Sequence, residues 1–385
     1  MFEIILSAIP VAIWTYLLIG QGGFWLCRER DVPVPVAPSR WPAVAAVVPA
    51  RNEADCIGES VGSLLGQDYP GPLHIVLVDD DSDDGTATVA EQAARGLPAC
   101  HSLTVVRSRS LPSGWTGKLW AVKQGVDVAQ TAQPEARYLL LTDADIVHSP
   151  DSLRTLVARA EEGGHVLTSL MAKLRCESQA ERSHVPAFVF FFQMLFPFAW
   201  VNDPARATAG AAGGCMLVKA AALRQAGGIE SIRGALIDDC SLAQQLKAHG
   251  PIWLGLTERV RSIRRYEGWG EVKHMISRSA YAQLRYSPLL LAGTTVGLGL
   301  TFLAAPLLAV FGDGAARLLG IAAWAMMALA FQPMLRFYRV SPLWGLALPA
   351  IALLYMAYTL DSAYQFARGH GGTWKGRAQA NVSGS

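Results

Sequence analysis

Tyr138-Leu-Leu-Leu-Thr-Asp-Ala-Asp145 is the stretch from which the rest of the chain can be read. A short unbroken apolar run is the pattern of a buried strand, and here two carboxylates sit at its C-terminal end. In open α/β sheets that end is where ligands bind. Carboxylates at alternate positions of an extended chain share one face, so Asp143 and Asp145 are placed to address one hard cation. The competing reading makes them caps of a helix that begins after Pro150.

Upstream the pattern repeats. Ala43-Val-Ala-Ala-Val-Val48 reads as a first buried strand ended by Pro49, and Leu73-His-Ile-Val-Leu-Val78 as a second. Leu103 to Arg107 reads as a third. Helical spacing over 54–66, from Thr86 to about Arg95 and over 118–129 separates them. Strand and helix alternating at this spacing imply parallel pairing in a nucleotide-type α/β sheet.

Outside this region the composition changes. The chain has 385 residues, 51% hydrophobic and 17% charged, against roughly 25% charged in average soluble proteins. The shortfall is concentrated in long apolar runs. Phe2 to about Cys27 reads as an uncleaved anchor, too long for a signal-peptide core and lacking an Ala-x-Ala site. Arg28 and Arg30 after it argue for a cytoplasmic C-terminal end. Pro33, Pro35 and Pro38 mark a stiff linker. Pro288–Phe311, Leu318–Leu335 and Leu343–Leu360 are each long enough to span. Four spans would leave Arg368, Lys375 and Arg377 outside, against the positive-inside tendency, so one segment is open to being re-entrant or interfacial. Val185–Val201, apolar but broken by Pro186 and Pro197, reads as a helix on the membrane surface beside the active site, or else as a core helix.

These runs divide the chain into an anchor (1–27), a linker (28–42), an α/β catalytic domain (43–284), about three C-terminal spans (285–365) and a polar tail (366–385). Net charge of +2 and the lack of a dense Lys/Arg tract give nucleic-acid binding no support. Six scattered cysteines without a Cys-x-x-Cys pair imply reduced thiols and no zinc site.

The strand ends carry polar clusters. Pro49-Ala-Arg-Asn-Glu53 closes the first strand. Asp79-Asp-Asp-Ser-Asp-Asp84 closes the second with five acids in six positions. Their mutual repulsion calls for a ligand, cation or donor array. A solvated, helix-capping turn accounts for Asp84 to Thr86 but not for Asp79 and Asp80. Gly114-Trp-Thr-Gly-Lys118 delivers one cation near the strand ends, as phosphate binding needs. Asp238-Asp239 opens a helical pattern, and neighbouring acids tend to raise one pKa, which suits a general base; a capping role competes. Gly210-Ala-Ala-Gly-Gly-Cys-Met216 allows either close passage of backbone past a sugar or a tight turn.

Together these pieces resemble, in order, the family 2 glycosyltransferases of the GT-A fold. The resemblance spans about residues 43–280. The apolar segments and Trp374-Lys-Gly-Arg377 are similar to its membrane-bound branch, which includes ceramide glucosyltransferase-like enzymes, and most of all to hopene-associated glycosyltransferases of hopanoid-producing bacteria. The resemblance implies a GT-A nucleotide-diphospho-sugar transferase domain, a Rossmann-like mixed sheet, flanked by transmembrane helices. It implies a multi-pass protein of the bacterial inner membrane with its catalytic domain cytoplasmic. The partners implied are a nucleotide-sugar donor, expected to be a UDP-sugar, and a lipid acceptor in the bilayer.

The roles it implies are these. Pro49, Arg51, Glu53, Asp79, Asp80 and Lys118 bind the donor, with Glu53 and Asp80 on the nucleoside. Asp145, with Asp143 beside it, holds Mg²⁺ or Mn²⁺ against the diphosphate. Asp239 is the general base of an inverting displacement, with Asp238 next to it. The family's Gln-x-x-Arg-Trp would fall at Met275-Ile-Ser-Arg278-Ser279, where only Arg278 matches. Arg278 would pair with the diphosphate, or else with Glu271. Loss of the Trp argues for transfer of a single sugar and against a polymerase. Trp269 and Tyr281 are expected as acceptor-side aromatics. The rival class, a transporter with a regulatory soluble domain, is disfavoured because the spans lack charges along their length.

Overall fold

The structure is a computed structural model that describes residues 2–95, 101–369, 373–374 and 377–378. Cys100, Lys375 and most of the expected polar tail lie outside the described residues. The chain divides into two compact units. One comprises 29–175, 200–264 and 373–385, and the other 1–28, 176–199 and 265–372.

The first unit is built on an eight-stranded sheet: β1 Val44–Ala50, β2 Leu73–Asp79, β3 Ser102–Arg107, β4 Tyr138–Thr142, β5 Ile146–His148, β6 Leu167–Lys173, β7 Cys215–Lys219 and β8 Ile252–Ser262. The order is β3-β2-β1-β4-β7-β6-β8-β5. β3, β2, β1 and β4 run parallel. β7 pairs antiparallel with both β4 and β6, and β5 antiparallel with β8, so the sheet is mixed. Every residue of β1 and β4 is buried, which is what an apolar run covered on both faces requires. The core gathers Val44, Ala46, Ile57, Leu64, Ile75, Leu77, Tyr138 and Leu140. The helix Gly117–Ala132 packs on the sheet through Gly125, where a Cβ would stand 2.4 Å from Val47 Cγ1.

Pro49 does not end the first strand as expected. β1 runs on to Ala50, pairing Pro49 with Val78 of β2, whereas its pairing with β4 stops at Val47. The N–H that proline lacks falls where β4 no longer asks for one.

The second unit is helical. Phe2–Ile19 is an 18-residue helix, shorter than the expected anchor, and a short 3₁₀ turn follows at Phe24–Leu26. Among the described residues, three helices are long and apolar enough to cross a membrane: Pro288–Phe311, Gly314–Tyr338 and Trp344–Ala367. The first contains a π-helical stretch, Gly299–Leu303, and the Trp14 indole N–H donates to Thr301 O there at 2.7 Å. Residues 176–199 and 265–284, assigned from sequence to the α/β domain, cluster with these helices. The helix Gln179–Leu195 runs straight through Pro186 and stops before Pro197. Its Phe190 packs on Phe331 and its Phe191 on Phe302 and Tyr355, with ring centroids 4.9–5.4 Å apart.

Candidate active site

The site forms where β1, β2 and β4 end and the helix Asp238–Lys247 begins. At the end of β1, Asn52 adopts φ +51° and turns the chain. Asn52 N donates to Ser82 Oγ (3.0 Å), Glu53 N to Thr86 Oγ1 (2.9 Å) and Ala54 N to Asp84 Oδ2 (2.9 Å). Arg51 donates to the carbonyls of Asp80 and Asp81 and lies 4.0 Å from the buried Asp80 carboxylate. Most of the acidic run is thus stapled to the β1 turn. Asp84 caps the helix Thr86–Arg95 through Thr86, and Asp79 accepts from Ser82. Asp81 pairs with Arg107 on the surface.

Asp143 and Asp145 do not share a face of an extended chain. A turn closes between them, with Ile146 N donating to Asp143 O at 3.2 Å. They do not cap the following helix either, which starts at Ser152 behind Asp151. The turn sends the two carboxylates to different cations. Lys118 Nζ stands 2.9 Å from Asp143 Oδ1 and 3.0 Å from Asp238 Oδ2. Burial alone would lower the Lys118 pKa, but Asp143 and Asp238 outweigh it and hold the ammonium firmly charged. Burial pushes Asp143 up against the pull of Lys118, and the charges of Asp145 and Asp238 push it further.

Asp239 is recessed at the start of its helix. Its Oδ2 accepts from Gly213 N (2.9 Å) and its Oδ1 from Cys240 N (2.7 Å). Burial, and then the Asp238 charge, push it up to about 6. Of the two roles left open for it, the glycine-rich segment shows the turn. It makes a turn, with Cys215 N donating to Ala212 O, and it brings Gly213 so close that a Cβ would lie 3.4 Å from Asp239 Oδ2 and 3.5 Å from Lys118 Nζ. At the far end of the helix, Lys247 Nζ donates to the carbonyls of Val201, Asp203 and Thr208 at 2.6–3.1 Å. The segment 200–214 is therefore tied to both ends of the helix that carries Asp239. A small pocket lined by Pro49, Lys118, Asp143, Gly213, Asp238 and Leu242 joins the pieces.

Sequence reasoning missed Arg264, just beyond β8. Its Nη2 lies 2.7 and 2.8 Å from the two Glu53 carboxylate oxygens, and its Nε 3.2 Å from Asp145 Oδ2. Ser262 Oγ donates to the same Asp145 oxygen at 2.7 Å. The alternation of β8 offered no signal for either residue. Arg278 lies in the other unit, exposed on the helix Trp269–Gln283, and makes no ion pair with Glu271 among the described residues. Tyr281, expected beside the acceptor, is buried with its hydroxyl donating to Tyr286 O, whereas Trp269 is half exposed.

The donors present suit a hard divalent cation. Four carboxylates (Asp143, Asp145, Asp238 and Asp239) crowd two cations, Lys118 and Arg264, and the upward push on Asp143 is the strain that a metal ion would relieve. Asp143 and Asp145 are the residues that would hold such an ion. Glu53, Asp55 and Cys56 also bring ligand atoms within 4.8 Å of one another. That set suits a metal poorly, because burial keeps the Cys56 thiol protonated and Glu53 is engaged by Arg264.

The family model Glycosyl transferase family 2 matches residues 45–227. Over these residues, just under half of the chain, the sequence is similar to that family. A beta-monoglucosyldiacylglycerol synthase from Synechocystis is 36% identical over 118 residues, 30% of this chain and 22% of that protein. An undecaprenyl-phosphate 4-deoxy-4-formamido-L-arabinose transferase from Enterobacter is 30% identical over 130 residues, 32% of this chain and 35% of that one. The chain thus spans about a fifth to a third of the length of these two relatives. The solved mannosyltransferase PcManGT from Pyrobaculum calidifontis, in complex with GDP-Man and Mn²⁺, superposes with a TM-score of 0.52 at 22% identity. It covers 92% of this chain and 99% of that one, and it shares the GT-A fold.

Proposed function

We propose that the protein is an inverting glycosyltransferase that moves one sugar from a nucleotide-diphosphate donor to a lipid in the membrane. The observation that carries this reading is Asp239. It is a recessed carboxylate pushed up to about 6, fixed by two backbone N–H groups and set beside the Asp238–Lys118–Asp143 chain of charge. Such a group is ionised at neutral pH yet basic enough to accept a proton. Asp239 takes the proton of the acceptor hydroxyl as that oxygen bonds to the anomeric carbon. The bond from that carbon to the diphosphate breaks on the opposite face, and the nucleoside diphosphate leaves with the electron pair. Glu53, Asp80 and the stapled turn beyond β2 hold the nucleoside end, with Pro49, Arg51 and Asp79 shaping that floor. Mg²⁺ or Mn²⁺ held by Asp143 and Asp145 would neutralise charge on the leaving diphosphate.

Two lines support a lipid acceptor. The three apolar helices of 24 or 25 residues suit a bilayer, and relatives are named for diacylglycerol and polyprenyl-phosphate glycolipids. The reading extends to the bacterial inner membrane with the α/β unit cytoplasmic, an orientation that Arg28 and Arg30 after the first apolar run support. The finer proposal, a hopanoid acceptor and a UDP-sugar donor, rests on the sequence resemblance.

The test is release of nucleoside diphosphate from the donor by the full chain in lipid vesicles. Asp239→Asn should lower kcat by about 10²–10⁴-fold, and Asp145→Ala should abolish turnover and its response to metal. Wild-type rates in both variants would overturn the mechanism. Lipid mass spectrometry of cells with and without the gene then names the acceptor, through the species that loses one sugar mass.

A further inference from the structure

We propose that Arg264 is a latch between the nucleoside and metal ends of the donor site, which a divalent cation releases onto the donor diphosphate. This inference rests on the function proposed above. Arg264 spans two groups of different purpose. Glu53, at 6% side-chain exposure, has both carboxylate oxygens on Nη2, at 2.7 and 2.8 Å. Asp145 is reached by Nε at 3.2 Å, on an oxygen that already accepts from Ser262 Oγ. The Glu53 pair is thus the closer contact, and the Nε contact to Asp145 is the one open to exchange.

That contact occupies the same oxygen, Asp145 Oδ2, that Ser262 binds, on one of the two carboxylates suited to a cation. A guanidinium and a divalent ion on one carboxylate repel each other. Binding of the ion expels the Nε arm. With Nη2 still anchored to Glu53, the freed Nε–H and the Nη1 group are then charge-assisted donors to the non-bridging oxygens of a diphosphate. In the donor-free state the latch neutralises Asp145 and competes with the metal. In the loaded state it adds positive charge where the leaving group sits. Arg264 is in this sense a positioning residue for the metal carboxylate and a binding residue for the diphosphate. The order of events follows: metal first, diphosphate second, each favouring the other.

The two halves of this exchange have opposite signs, which a merely structural arginine would not produce. The test measures Mn²⁺ binding to the full chain without nucleotide, by electron paramagnetic resonance. UDP and GDP binding is then measured at saturating Mn²⁺, by calorimetry. Arg264→Gln should bind Mn²⁺ about threefold to tenfold more tightly, because the competing cation is gone. It should bind the nucleoside diphosphate about tenfold more weakly, having lost a charge-assisted contact. Arg264→Lys keeps the charge without the fork and should leave Mn²⁺ affinity near wild type while still weakening the diphosphate. Parallel loss of both affinities in the two variants, or unchanged Mn²⁺ affinity in Arg264→Gln, overturns the latch. Wild-type protein that binds neither Mn²⁺ nor either nucleotide would instead overturn the function proposed above.

Discussion

Asp239 answers to two neighbours at once, and its titration should be visible in the rate. With its carboxyl pushed up to about 6, kcat/KM should fall roughly tenfold per pH unit below about 6. Replacing Asp238 with Asn removes a like charge that pushes Asp239 up, so the acid limb should move to lower pH in the pH–rate profile. The same shift has a stability consequence of definite sign. The folded state holds the Asp239 pKa above its unfolded value, so the charged form is penalised at and above neutral pH. The penalty is relieved as pH falls through about 6 towards the ordinary carboxylate range. Thermal melts should therefore show Asp239→Asn gaining stability over wild type more at pH 8 than at pH 5. At this scale the sequence was legible where a residue type announced its chemistry, as with Asp238-Asp239 and Lys118. It was silent on pairing. Nothing in the spacing of Glu53, Asp145 and Arg264 says that one guanidinium joins the first to the second across 211 and 119 positions.

The helix Asp238–Lys247 does more than present Asp239, because it anchors the loop that donates to that carboxylate. Lys247 gathers the carbonyls of Val201, Asp203 and Thr208, and Gly213 meets Asp239 at the opposite end. Lys247→Met should cost about 1–3 kcal/mol, the penalty of leaving carbonyls unsatisfied, read as a lowered Tm. Its kcat should fall more than its donor KM rises, because the damage reaches Asp239 through the loop and leaves the Glu53 end intact. The parallel half of the sheet was legible as elements, since β1 and β4 are unbroken apolar runs bounded by turns and β2 is interrupted only by His74. The antiparallel insertion of β7 between β4 and β6 was not. A buried strand such as Cys215–Lys219 has the same composition in either direction, and only its partners decide. The turn after Thr142 was also hidden, because Asp-Ala-Asp reads equally well as extended chain.

At the scale of the whole molecule, three helices of 24 or 25 apolar residues predict a protein that alkaline carbonate and high salt leave in the membrane pellet. Release into the supernatant by either wash would contradict that. Length and apolarity made these helices legible. The first helix was read as longer than it is, because composition stays apolar to Cys27 although the helix stops at Ile19, before the Gly20 and Gly22-Gly23 positions. The weaving of the chain was not legible at all. Segments 1–28, 176–199 and 265–372 assemble one unit from three separate pieces of sequence, with Trp14 donating to Thr301 across 287 positions. A ribosome reaches the last of these pieces only after all eight strands of the α/β sheet have been made. Until then, the first helix and Gln179–Leu195 wait without Phe302, Phe331 and Tyr355, the rings that later cover Phe190 and Phe191. Expression of a fragment ending near Arg264 freezes the chain at that half-made stage. It carries the whole α/β sheet and also an uncovered phenylalanine ridge, so its solubility is decided by a helix that belongs to the other unit.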